Sequence, residues 1–138
     1  MLTVQFHDHA SDNLLRFAVI LAHCGEELVL CRHRDRTTWE FPGGHREADE
    51  GIAETAAREL REETGARAFE LEALCHYAVE DGGEERLGML FHARIFSFEP
   101  ELRCEIQEIR RTRTLPDNWT YPEIQPALLA EAARRGLI

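Results

Sequence analysis

The 23 residues from Gly44 to Ala66, GHREADEGIAETAARELREETGA, constrain this 138-residue chain more than any other stretch. Glutamates stand at 47, 50, 54, 59, 62 and 63. A helix starting near Gly51 turns about 100° per residue, so Glu59, Glu62 and Glu63 fall at i, i+3 and i+4 within one sector. Like charges at that spacing repel. Three crowded carboxylates therefore ask for a cation, and hard divalent ions such as Mg²⁺ take oxygen ligands while leaving positions open for phosphate. An arbitrary Glu-rich helix is more often a solvated acidic face. The order Gly-Gly, Glu50, Arg58-Glu59, Glu62-Glu63, Gly65 favours a metal site instead.

The other faces of the same helix agree. Ile52, Ala56 and Leu60 repeat at i, i+4 and i+8 and form an apolar stripe suited to a sheet. Glu54 and Arg58 are spaced for an i,i+4 ion pair, and Glu62 stands one turn beyond Arg58. Gly65 suits a left-handed C-cap. Ahead of the helix, Phe41-Pro42-Gly43-Gly44 predicts a tight turn through which backbone can approach a ligand.

Gly44, Glu50, Arg58-Glu59-Leu60, Glu62-Glu63 and Gly65-Ala66 resemble the Nudix box at each constrained position: Gly, five residues, Glu, seven residues, then Arg-Glu-apolar-any-Glu-Glu-any-Gly-apolar. The resemblance implies a single Nudix hydrolase domain over residues 1–138, with the box at 44–66, and an α/β/α sandwich around a mixed sheet. It implies Mg²⁺ or Mn²⁺ held by Glu59, Glu62 and Glu63, with the Gly43 carbonyl as a further ligand. Gly44, Glu50, Arg58 and Gly65 support the box. Within the family the sequence looks most like MutT-like nucleoside triphosphate pyrophosphohydrolases, which would make the substrate a (d)NTP or oxidised dGTP and the products a monophosphate and pyrophosphate. Another diphosphate (a nucleotide sugar, a dinucleoside polyphosphate, an RNA 5′ end) and a nucleotide sensor without turnover remain open, although a sensor needs no complete glutamate set.

The length matches one domain with an ordinary core. No apolar run approaches the ~18 residues of a membrane span, and the first residues lack the pattern of a signal peptide. Cys24, Cys31, Cys75 and Cys104 form no CxxC pair or zinc pattern and read as thiols of a reducing cytoplasm, with a bridge between two of them still open. A formal charge of −10 argues against a duplex nucleic-acid partner. A small anionic nucleotide is compatible with it, since metal ions and a few arginines neutralise the site locally.

Along the chain, residues 2–6 suggest an edge strand, and 14–23 with 28–31 a hairpin of largely buried strands. The basic run Arg32-His33-Arg34-Asp35-Arg36 is either a solvated loop or a phosphate contact. Arg32 and Arg34, alternate residues leaving a strand, are the expected substrate-binding pair, with Arg36 exposed. Residues 68–79 and 87–98 predict two strands joined by a glycine turn. His76, Tyr77, Met89 and Phe91 read as core or base-pocket residues, and the remaining histidines show no ligand spacing. In the alternating stretch near residue 105, the family resemblance suggests one more acidic ligand or base, Glu105 first and Glu108 second. Asp117 and Asn118 have the chemistry to meet a guanine edge, though such loop residues are commonly turn formers; Asn118 is the expected substrate contact. Thr120 is the expected N-cap of a last helix that buries Ile124, Leu128, Leu129 and Ala132 and ends at Gly136.

Overall fold

The computed structural model describes residues 2–7, 14–100 and 106–136. Seven strands and two helices follow in the order β1 (Thr3–His7), β2 (Leu15–Cys24), β3 (Glu27–His33), β4 (Gly43–His45), α1 (Ile52–Thr64), β5 (Ala66–Asp81), β6 (Glu84–Phe98), β7 (Ile106–Thr112) and α2 (Gln125–Arg134). The sheet runs β1-β5-β6-β2-β3-β7, with β4 added beside β2. The β2–β6 pairing is parallel and the others are antiparallel, so the sheet is mixed.

Side-chain alternation along β2 builds a core on each face of this sheet. Ala18, Ile20 and Ala22 pack with Ile52, Ala56 and Leu60 of α1. Leu21 turns the other way and joins Leu30, Phe41, Tyr77, Leu90 and the α2 residues Leu128 and Ala132. This is the expected α/β/α sandwich. Leu60 is completely buried, and truncating it to alanine is expected to cost about 2–5 kcal/mol.

The predicted hairpin forms only at its tip. His23 pairs with Leu28 and Cys24 with Glu27 around Gly25; beyond that the strands diverge, because residues 40–45 insert between them. Cys31 exchanges both backbone hydrogen bonds with Glu40, at 2.8 and 3.1 Å, while Ala18 pairs with Gly44. The wedge thus delivers the Gly-Gly turn to Glu59 and Glu63 in the C-terminal half of α1.

The last helix starts later than the Thr120 cap implied. Thr120 donates instead to Thr38 Oγ1 at 2.7 Å. The buried Gln125 side chain sets the start: its Oε1 accepts from Phe41 N at 2.6 Å and its Nε2 donates to Phe41 O at 3.4 Å. Pro126 then occupies the first turn, where its missing N–H costs nothing.

Candidate active site

Helix α1 is seated by its own sequence. Gly51 is the N-cap, and its N–H donates to Glu54 Oε1 at 3.1 Å. Gly65 closes the helix at φ 74°, returning its N–H to Arg61 O. Glu54 is thus occupied with the cap, and the i,i+4 pair expected with Arg58 gives way to another. Arg58 lies between the helix and the loop before it. Its Nε and Nη2 reach Glu50 at 2.5 and 3.0 Å, Nη1 reaches Glu59 at 2.8 Å and Glu62 at 3.3 Å, and Nη2 also meets His45 O at 3.2 Å. Glu50 accepts in addition from Glu47 N and Thr55 Oγ1. The Arg58 hydrogen bonds, first among these causes, hold the Glu50 carboxyl down at about 2.

The two glycines are fixed by close approach. A Cβ on Gly43 would sit 2.3 Å from Ala18 O, and one on Gly44 would sit 2.4 Å from the Glu59 carboxyl carbon. Gly43 N donates to Glu63 Oε1 at 2.7 Å. Pro42 O and Arg46 N bond toward β2. Backbone groups alternate sides along a strand, so the Gly43 carbonyl also points away from β2, toward the glutamates.

The structure brings Glu59, Glu62, Glu63, Gly43, Gly44 and Arg58 to one cleft of about 650 Å³. Burial, then the charge of Glu63, push the Glu59 carboxyl up to about 7 against the opposing Arg58 hydrogen bond. A carboxylate that resists ionisation among its neighbours, in a cradle too small for a Cβ, fits a divalent cation with oxygen ligands.

Arg32 and Arg34 lie outside this cleft. Val29 packs on the α1 side of β3 and Leu30 on the α2 side, so Cys31 and His33 face α1 while Arg32 faces away. Arg32 pairs with Glu108 at 3.3 Å and donates to Arg36 O at 2.9 Å, which also takes Glu108 away from the glutamates. Arg34 lines a separate depression with His33, Asp35 and Arg36. Asn118 Nδ2 donates to Thr37 O at 2.7 Å, and its backbone O accepts from Trp39 N, a loop-building role. Glu105 lies outside the described residues.

The cleft also holds residues that the sequence did not single out. His33 Nε2 meets Glu63 Oε2 at 2.8 Å and Glu40 Oε2 at 3.7 Å. The hydrogen bond that His33 donates to Glu63, more than burial, decides the outcome and raises the His33 pKa. Glu40, 5% exposed, is pushed upward by its burial. Arg36 Nη1 contacts Glu40 at 3.2 Å and Tyr121 OH at 3.5 Å, and Arg46 lines the cleft beside it. Adjoining it is a pocket of about 270 Å³, walled by Leu2, Phe17, Tyr77, Val79 and Ile124, which shares Glu40, Gly43, Gly44, His45 and Tyr121 with the cleft.

The NUDIX domain family model matches residues 13–135. The chain belongs to the Nudix family. The domain is of the kind that hydrolyses pyrophosphate bonds with a divalent cation. YtkD of Bacillus subtilis strain 168, provisionally named an 8-oxo-dGTP diphosphatase, is 39% identical over 79 residues, which are 56% of this chain and 49% of that protein. The chain thus matches about half the length of that curated relative. The crystal structure of a mutant of the Bacillus subtilis pyrophosphohydrolase BsRppH superposes with TM-score 0.81 at 25% identity, covering 99% of this chain and 92% of the other. A MutT NUDIX hydrolase from Burkholderia pseudomallei gives TM-score 0.67 at 21% identity over 83% and 95% of the two chains; at that identity the likeness concerns the fold. No helix among the described residues is long and apolar enough to cross a membrane.

Proposed function

We propose that this Nudix domain hydrolyses a nucleoside triphosphate, with an oxidised purine such as 8-oxo-dGTP as the first substrate to test, to the monophosphate and pyrophosphate, using Mg²⁺ or Mn²⁺. One observation carries the reading: the glutamate cleft adjoins an apolar pocket and shares five lining residues with it. A phosphate chain suits the first compartment and a flat base the second. The named activity of YtkD supports the same substrate.

Glu59, Glu62, Glu63 and the Gly43 carbonyl would hold the cation, which when bound neutralises phosphate charge and activates water. Arg58 and the Gly43 N–H keep the carboxylates aimed. Arg36 and Arg46, which line the cleft, grip the outer phosphates, and Phe17 and Tyr77 bound the base pocket. The carboxylate set accepts the proton that the attacking water gives up.

Incubation of a panel of nucleoside triphosphates, nucleotide sugars and dinucleoside polyphosphates with Mg²⁺ in ¹⁸O-labelled water tests the proposal. Monophosphate and pyrophosphate from a triphosphate, with label in one of them, are expected. Release of orthophosphate, or turnover of a nucleotide sugar alone, rejects it.

A further inference from the structure

At the wall of the cleft lies a second donor set, of which the hydrolytic reading uses only Glu63. The Cys31 sulfur, a ring nitrogen of His33 and a Glu63 carboxylate oxygen all lie within 4.8 Å of one another. Cys31 and His33 are alternate residues on the α1-facing side of β3, and Glu63 meets them from α1, so two rigid elements hold the three groups together. The set differs in kind from the glutamate cluster: one thiol, one imidazole and one carboxylate. Hard ions such as Mg²⁺ prefer oxygen alone, whereas thiolate and imidazole select Zn²⁺ and its thiophilic relatives.

We propose that Cys31, His33 and Glu63 form a binding site for one thiophilic divalent cation, Zn²⁺ in the first instance, which withdraws Glu63 from the oxygen-ligand set and thereby inhibits the enzyme. With Zn–S near 2.3 Å and Zn–N and Zn–O near 2.0–2.2 Å, ligand atoms around a tetrahedral ion stand roughly 3.4–3.6 Å apart. The contact of His33 with Glu63 at 2.8 Å therefore opens by about half an ångström, and no separation, each at most 4.8 Å, closes by more than about 1.4 Å. Side-chain rotation accommodates both. The Cys31 thiol gives up its proton as the metal–sulfur bond forms, and the proton leaves to solvent through the cleft that His33 and Glu63 line. A thiolate and a carboxylate then balance the two charges of the ion. The fourth position falls to water or to Glu40, whose Oε2 is 3.7 Å from His33 Nε2.

Cadmium titration of the full chain, without Mg²⁺, tests the site with no need of turnover, so a wrong substrate assignment leaves it untouched. The thiolate-to-cadmium charge-transfer absorption in the ultraviolet should rise to one equivalent and be reversed by Zn²⁺. It should vanish in Cys31→Ala. Glu63→Gln and His33→Gln, which keep the thiol, should each weaken cadmium binding at least tenfold; they also serve if Cys31→Ala does not fold. In Mg²⁺-supported hydrolysis, Cys31→Ala should keep its basal rate and need at least tenfold more Zn²⁺ for half-inhibition. A band unchanged in Cys31→Ala, and so arising from the remaining cysteines, overturns the proposal, as does cadmium affinity indifferent to His33→Gln and Glu63→Gln.

Discussion

Arg58 Nε stands 2.5 Å from Glu50 Oε2, and the same guanidinium holds Glu59 through Nη1 at 2.8 Å. One planar group thus ties the loop before the helix to a proposed metal ligand on it. Lysine carries the charge but offers a point where the arginine offers a fork. Arg58→Lys is expected to lower metal affinity about 10–100-fold and stability by about 1–3 kcal/mol. Calorimetric metal titration checks the first and denaturant unfolding the second. Wild-type metal affinity in the variant would show that the fork does not aim the ligands.

Gly44 is the backbone counterpart of that arrangement. A methyl group there would overlap the Glu59 carboxyl, at 2.4 Å. Gly44→Ala should therefore displace Glu59 and cut kcat/KM by at least ~100-fold, an effect of about 2.7 kcal/mol on the transition state, while the far-ultraviolet circular dichroism stays that of the parent. Activity within a few-fold of the parent would mean that Glu59 can move without loss.

Charge removal at the helix should be position-specific. Glu62→Gln and Glu63→Gln are expected to reduce the Mg²⁺-supported rate by about 10² or more. Glu47, 67% exposed at the rim with Arg58 at 3.7 Å, should tolerate the same change within about twofold. Equal losses at Glu47 and Glu62 would point to the acidity of the surface as the cause.

How far the sequence foretold this site depended on whether a constraint was local. The helix, its start near Gly51, its C-cap at Gly65, its apolar stripe and its glutamate sector all follow from spacings shorter than three turns, and α1 has them. The two-faced core was legible too, because β2 alternates and is apolar on both sides. His33, Glu40 and Arg36 were not legible. They enter the cleft because residues 40–45 insert between β2 and β3, which no local pattern announces. That insertion fixes the parity of β3, and one step in parity separates Arg32, paired with Glu108, from His33, paired with Glu63. Periodicity correctly said that alternate residues share a face; it did not say which face met α1.

The metal-free protein should lose stability as pH rises toward neutrality. Burial and the Glu63 charge raise the Glu59 carboxyl from 4.5 to about 7. Between those values the folded chain binds more protons than the unfolded one, so the contribution of Glu59 is full below pH 4.5 and declines as pH rises through 7. Allowing for partial solvent screening, the change is about 1–2 kcal/mol. Glu59→Gln should flatten this part of the stability profile in chelator. Mg²⁺ should stabilise the parent more at pH 8 than at pH 6, since the ion replaces the proton. An identical profile in parent and variant would remove Glu59 as the source.

Tyr77 supplies the last test, at the floor of the apolar pocket. The residue is fully buried, its ring centroid 5.5 Å from that of Phe17, and its hydroxyl has no hydrogen-bond partner among the described residues. A hydroxyl buried without a partner costs about 1–3 kcal/mol. Tyr77→Phe should then stabilise the free protein by about 1 kcal/mol, measured by denaturant unfolding without ligand. If the hydroxyl finds its partner on the base of a bound nucleotide, the same variant raises KM by about tenfold while kcat holds, because the contact is equal in the ground and transition states. A variant less stable than its parent would mean that the hydroxyl is already satisfied in the free protein. Greater stability with an unchanged KM would leave the hydroxyl out of base recognition and give Tyr77 a purely packing role beside Phe17.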